Sequence, residues 1–279
     1  MDHYQIKSGK EFLEFSHYLQ KYPKGWWSKD NPISIDNYKI NIFVSGDFSV
    51  FSGNNRFEPK SGDVFIVEPA EMHCGNIAKE TFIEYYQLDF GKNAFSSLPG
   101  GNNLLQRIIE LKRAKGPFIR TSTETAGKLQ GLCNEIEKNI DGGEILLAFV
   151  KAAELICDVK EAFESGSSAS FSGFSKAVSK AISHIEESPA DELSVAGVAD
   201  FCKVSETYLL KVFKKELGET VSSYIMRHKL LVAVSMLSGG VMVSKAASEC
   251  GFSDSSHFIS CFKKYFGCTP NEYKKLRRF

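Results

Sequence analysis

Residues Glu249–Gly267 read ECGFSDSSHFISCFKKYFG, and their closing FKKYFG repeats an FKKELG found at residues 213–218, 49 positions earlier. The likeness extends upstream. Ser194–Gly218 (SVAGVADFCKVSETYLLKVFKKELG) and Val243–Gly267 (VSKAASECGFSDSSHFISCFKKYFG) align throughout, offset by 48 in the first half and 49 in the second, so the second copy has one extra turn residue. Each copy predicts a short amphipathic helix, a turn, a polar N-cap and a second helix. Ala199 and Ala247 supply small side chains where the first helix must lie close across the second. Ser205 is the expected cap in the first copy, and Ser253 or Asp254 in the second. Gly251 stands in the second turn, where a positive φ costs a glycine little.

In the second helix of each copy, Tyr208, Leu209, Val212 and Phe213 match His257, Phe258, Cys261 and Phe262, which predicts one buried face. The other face carries Glu206, Thr207, Leu210, Lys211 and Lys214 against Ser255, Ser256, Ile259, Ser260 and Lys263. Two helices crossing through a short turn, with a polar outer face, form a helix-turn-helix. The repeat continues into GETVSSY (218–224) and GCTPNEY (267–273), both G-x-T-x-x-x-Y. Thr269, Pro270 and Glu272 spell a capping box with proline at the first helical position. Val221–Leu237 has the composition of one linking helix, stopped by SGG.

Residues 174–278 resemble the DNA-binding domain of AraC/XylS-family transcriptional regulators. The second copy carries A-x-x-x-G-F, S-x-F-x-x-x-F-K-K-x-x-G and T-P-x-x-Y, with His257 where the family usually has Tyr. The linking helix has Lys229 where Arg is usual, with Arg227 nearby. The resemblance implies two units on a rigid helix, each placing a recognition helix in successive major grooves. Glu206, Thr207, Leu210, Lys211, Ser255, Ser256, Ile259 and Ser260 are then the candidates for base edges. Leu210 and Ile259 would either touch thymine methyls or pack inward. Lys214, Lys215, Lys263 and Lys264, with Ser205 and Asn271, are candidates for phosphate, which positions without specifying.

Bulk properties agree. The chain of 279 residues carries no net charge, yet from Lys176 onward it has 15 Lys+Arg against 11 Asp+Glu, and before that 19 against 23. A basic C-terminal part on an acidic N-terminal part suits a DNA-binding appendage. Seven cysteines without a C-x-x-C pair signal neither a disulfide framework nor zinc. No run of eighteen apolar residues and no signal-peptide core appear, so a cytoplasmic protein without a membrane partner is expected.

ESGSSASFSGFS (164–175) reads as a flexible linker. Before it, residues 33–90 alternate apolar and polar, punctuated by Gly, Asn, Asp and Pro, which predicts antiparallel strands in a small sandwich or barrel. From about Ser122 the period becomes helical: Leu129, Leu132, Ile136 and Ile140, then after DGG a heptad-like Ile145, Phe149, Ala152, Ile156, Val159 and Phe163. These helices would cap the β-domain, pack on a twin in a dimer, or do both with different faces.

SGDVFIVEPAEMHCGN (61–76) resembles the second motif of cupin barrels, with Ala70 at the usual glycine. No histidine lies between Ile33 and Glu71, so the metal-ligand set of catalytic cupins is absent and His73 alone cannot make a site. Neither an enzyme nor a cofactor is expected. Trp26 and Trp27 would stack on a sugar effector or plug the barrel end, and His73 would be a ligand contact or a turn residue.

The expected fold class is thus α+β: a cupin-like effector-binding β-barrel with flanking helices (1–121), a helical dimerisation segment (122–164), a linker (165–173) and an all-α tandem helix-turn-helix domain (174–279). The expected function is a bacterial, sequence-specific regulator of promoter DNA, a homodimer responsive to a small molecule. Family resemblance favours an activator, whose partner would be RNA polymerase. The alternatives are a constitutive DNA binder whose β-domain only dimerises, and a cupin enzyme.

Overall fold

The computed structural model describes residues 2–8, 11–26, 37–52, 55–69, 71, 73–91, 93–96, 98–168 and 174–276. Its N-terminal part has two antiparallel sheets. The larger runs β1 (Asp2–Ser8), β2 (Glu11–Tyr22), β9 (Thr81–Gly91), β4 (Asn37–Ser45), β7 (Val64–Val67), β10 (Phe118–Arg120) and β11 (Ser167–Ser168) in spatial order. The smaller runs β3 (Gly25–Trp26), β8 (His73–Ile77), β5 (Ser49–Ser52) and β6 (Asn55–Phe57). Among the described residues no pairing joins one sheet to the other, so they form an open two-sheet stack and not the closed barrel expected.

Strand alternation buries both faces of the larger sheet. Ile40 and Ile42, Val64 and Ile66, Leu88 and Phe90 point to one side, where α1 (Gly101–Lys115), α2 (Thr123–Asp141) and α3 (Ile145–Ser165) cover them. Phe43, Phe65, Val67 and Ile83 point to the other, against Val50, Phe57 and Ile77 of the smaller sheet. The Phe118 ring stacks between Phe57 and Phe65, 4.2 Å from each.

Strands β1 and β2 and helix α1 were not anticipated. The first partner of β2 outside its own hairpin is β9, at pairings such as Phe15↔Leu88, so nothing local announces it. Of the helical seam, Ala152, Ile156, Val159 and Phe163 are buried in this domain's own core, with Phe149 half-buried against it. Ile145, Leu146, Leu147 and Val150 stay exposed at the start of α3.

The C-terminal part is all helical: α4 (Lys176–Glu187), a 3-10 turn (Ala190–Glu192), α5 (Val195–Cys202), α6 (Glu206–Leu217), α7 (Val221–Ser238), α8 (Val243–Glu249), α9 (Ser255–Phe266) and α10 (Pro270–Leu276). It has two cores, and α7 belongs to both. Val221, Tyr224 and Ile225 join Leu209, Phe213 and α4 in the first. Leu230, Ala233, Val234 and Leu237 join Phe258, Phe262 and Tyr273 in the second. One helix threaded through two cores ties the halves rigidly. The two parts of the chain meet where Phe51 of β5 stacks on Phe174, ring centroids 5.2 Å apart.

Candidate nucleic-acid interface

Each unit is built from its caps. Ser205 Oγ accepts from the Tyr208 amide at 3.3 Å and starts α6. In the second unit the cap is Asp254 rather than Ser253, accepting from the Ser256 and His257 amides, each at 3.0 Å. Both helices stop at left-handed glycines, Gly218 (φ 76) and Gly267 (φ 75). Thr220 then caps α7, and Thr269 caps α10 in a reciprocal box: its amide donates to Glu272 at 2.7 Å and its Oγ1 accepts from the Glu272 amide at 3.3 Å.

The two units therefore differ chemically. The first is capped by hydroxyls alone (Ser194, Ser205, Thr220), whereas in the second carboxylates take part, Asp254 as the cap of α9 and Glu272 in the box with Thr269. Backbone hydrogen bonds from Ser256 and His257 hold the Asp254 carboxyl below its usual pKa, and those from Thr269 do the same for Glu272. A depressed carboxylate stabilises the fold above its unfolded pKa and loses that contribution as pH falls through the folded one. Acidification below the ordinary carboxylate range is expected to loosen α9 and α10 before α6 and α7. Amide exchange across pH 5 to 3 checks this; equal loss of protection in both units would refute it.

Burial in each recognition helix follows a single row. Leu209, Phe213 and Leu217 are buried in α6, and Phe258, Phe262 and Phe266 in α9. The broader face expected from sequence is corrected at both ends. Tyr208 is 51% exposed and His257 is exposed, while Val212 and Cys261 are half-buried. A residue one place before the row lies about 100° round the axis and misses the neighbouring helices. His257 instead tilts over Phe252, with its Nε2 3.4 Å from Cys261 Sγ. This equivalent pair of exposed rings, Tyr208 and His257, was missed because the apolar pattern assigned both to the core.

Of the base-edge candidates, Glu206, Thr207, Leu210 and Lys211 are exposed together on α6, and Ser255, Ser256 and Ser260 on α9. Leu210 and Ile259 part company: Leu210 faces outward, 38% exposed, whereas Ile259 packs in part against the second core. Lys214 and Lys215, like Lys263 and Lys264, are exposed in the last turns of their helices, where the backbone dipole favours cations. Asn271 is exposed in the first turn of α10, and Ser205 is exposed although its hydroxyl is engaged as a cap. Arg227 does not join this surface. It is buried, ion-paired with Glu219, its guanidinium 5.2 Å over the Tyr224 ring.

The sensor candidates fall elsewhere. His73 opens strand β8 rather than sitting in a turn, edge-on to Phe65 at 5.7 Å, with Nδ1 3.3 Å from the Glu71 carbonyl. Burial, and then the nearby Lys39 charge, push its pKa down to about 4. Trp26 pairs through its backbone with Asn76 of the same strand. Trp27 lies outside the described residues. Among the described residues no three His, Cys, Asp or Glu side chains converge as metal ligands, and no helix is long and apolar enough to cross a membrane.

A sequence family described as a helix-turn-helix domain matches residues 198–276. The HTH-type transcriptional activator RhaR of Mannheimia succiniciproducens is 24% identical over 255 residues, covering 87% of each chain. The transcriptional regulatory protein HptR of Staphylococcus aureus is 29% identical over 98 residues, so this chain spans 39% of that relative. A solved AraC-type transcriptional regulator from Chromobacterium violaceum, 29% identical, covers 37% of this chain and 92% of its own, with a TM-score of 0.35. These relatives are transcriptional regulators. Residues 198–276 thus carry a helix-turn-helix domain, and over most of its length the chain is similar to a transcriptional activator.

Proposed function

We propose that the chain is an effector-responsive transcriptional activator that reads promoter DNA with both units at once. The observation that carries this reading is the sharing of α7 by two cores, which holds two capped recognition helices on one rigid support. Glu206, Thr207, Leu210 and Lys211 would read one major groove, and Ser255, Ser256, Ile259 and Ser260 the next, about one helical turn away. Lys214, Lys215, Lys263, Lys264, Ser205 and Asn271 would hold phosphates. Residues 174–279 form the reading domain and residues 165–173 the linker.

Residues 1–121 are the effector domain, and two facing antiparallel sheets support the cupin-like reading. Residues 122–164 dimerise the protein. Support comes from Ile145, Leu146, Leu147 and Val150, an apolar patch that the domain's own core leaves uncovered. The likeness to the transcriptional activator RhaR supports activation, hence RNA polymerase as a partner, and the effector would be a small molecule such as a sugar.

The test is selection of binding sites from a random duplex library with the full-length protein, at several salt concentrations. A motif of two blocks one turn apart is expected; absence of any enriched sequence would refute the reading. On the selected site, the Lys214→Ala, Lys215→Ala double variant is expected to bind more weakly at every sequence and to lower the salt slope by about 2. Lys211→Ala should cost about 1–3 kcal/mol and relax specificity in one block. An unchanged slope would remove the two lysines from the phosphate set.

A further inference from the structure

The second recognition helix carries a pair of donor side chains that DNA reading leaves unused. His257 and Cys261 stand four residues apart on α9, so they share one face of the helix. His257 is exposed and Cys261 half-buried, with ring Nε2 3.4 Å from Sγ. The position of His257 is held from two sides. Its ring tilts against Phe252, centroids 5.8 Å apart, and its amide donates to the Asp254 carboxylate at 3.0 Å. The pair belongs to this unit alone. On α6 the equivalent places hold Tyr208 and Val212, which offer no thiol and no imidazole.

What the pair can hold follows from its donors and their spacing. Sulfur with imidazole nitrogen suits zinc-like cations, whereas magnesium and calcium take oxygen. Two donors at i and i+4 on one helical face bind zinc in the same way when both are histidines. With Zn–S of about 2.3 Å and Zn–N of about 2.0–2.1 Å, a tetrahedral ion sets its sulfur and nitrogen about 3.5 Å apart. The observed separation is close to that. A linear two-coordinate ion would need the donors about 4.3 Å apart.

Burial raises the Cys261 thiol pKa, offset in part by the nearby Lys264 charge, so in the metal-free pair the S–H donates to Nε2. A cation takes the place of that proton. The S–H bond breaks, the sulfur and the Nε2 lone pair each bond the metal, and the proton leaves to solvent; no electron changes hands. Both Asp254 oxygens already accept amide hydrogen bonds, from Ser256 and His257. Two of the four coordination positions are therefore left to water or to an anionic oxygen.

We propose that His257 and Cys261 form a two-donor site for a thiophilic divalent cation of the zinc class, and that its occupancy strengthens the hold of the second unit on DNA. The second half rests on the reading of α9 as a DNA-facing helix. Lys264, a phosphate candidate, lies three residues beyond Cys261 and acts on its charge. A cation bound there adds positive charge beside Lys264 and an open position for a phosphate oxygen. With no counterpart on α6, the effect falls on one block of the site only.

The test uses full-length protein made without a histidine tag, reduced and stripped of metal by a chelator. Cobalt(II) serves as the optical probe. One equivalent is expected to bind per chain with a thiolate-to-cobalt charge-transfer absorption, which zinc(II) then displaces. Cys261→Ser is expected to abolish that absorption. His257→Ala, at an exposed position, is expected to weaken zinc binding tenfold or more while melting within a few degrees of the parent. Absence of the absorption, its persistence in Cys261→Ser, or unchanged zinc affinity in His257→Ala would each overturn the site. On the selected duplex, zinc is expected to raise the parent's affinity at least threefold and that of neither variant, with the added protection confined to the second block. Zinc binding that leaves DNA affinity unaltered would overturn the coupling and leave the site standing. A parent that binds no duplex with or without zinc would instead sink the DNA-reading account.

Discussion

Phe262→Ala is expected to destabilise the second helix-turn-helix unit by about 3–5 kcal/mol, the usual range for emptying a buried phenylalanine site. Phe262 has no exposed surface, and its ring meets those of Phe258, Phe266 and Tyr273 at centroid distances of 5.7, 4.7 and 6.0 Å. Such a loss approaches the whole stability of a small domain, roughly 5–15 kcal/mol. The first unit keeps its own core around Leu209 and Phe213, so it should survive. Thermal melts should split into two transitions, and a footprint on the selected site should shrink from two blocks to one. A single unshifted transition with a full footprint would show that the two cores are not energetically separate.

Gly251→Ala should be the second most damaging change. Gly251 has φ +75, and a Cβ there would lie 2.8 Å from Asp191 Cα and 3.1 Å from Lys229 Nζ. The lysine tip can swing away; the Asp191 backbone cannot. The left-handed conformation alone costs a residue with a Cβ about 1–2 kcal/mol, and the backbone clash brings the total to about 3 kcal/mol. The equivalent position in the first unit is Lys203, at φ 58, which adopts the same conformation without glycine. Lys203→Gly should shift stability by less than about 1 kcal/mol, because relief of strain is largely offset by the freer unfolded chain. Denaturant titrations of both variants check the asymmetry. A Gly251→Ala protein as stable as the parent would mean that Asp191 and the 3-10 turn yield.

Residues whose structural meaning is local were legible in the chain itself. Ser205, Thr220, Thr269 with Glu272, Gly218 and Gly267 act within four residues of where they stand, and their repetition at 48–49 positions specified the two units, their order and the helix between them. The lysine pairs and the serine- and threonine-bearing faces followed from helical period. That much sufficed to carry the family resemblance.

What the chain did not disclose depends on partners distant in sequence. The burial of Leu209 but not Tyr208 was decided by which neighbouring helices a one-residue-wide row could reach. The heptad-like stripe of α3 looks the same whether it meets a twin or its own sheet; packing turned most of it inward and left its first residue, Ile145, outside with the neighbouring Leu146, Leu147 and Val150. Strand β2 acquires its place only by pairing with β9, at residues 59–77 positions away, and only that pairing sets Glu14, Ser16 and Tyr18 beside Asp89, Gln87 and Tyr85. In sequence those polar residues look like the solvent face of an alternating strand. Packing instead buries Ser16 and half-buries Tyr18 and Asp89, an outcome that tertiary structure alone decides.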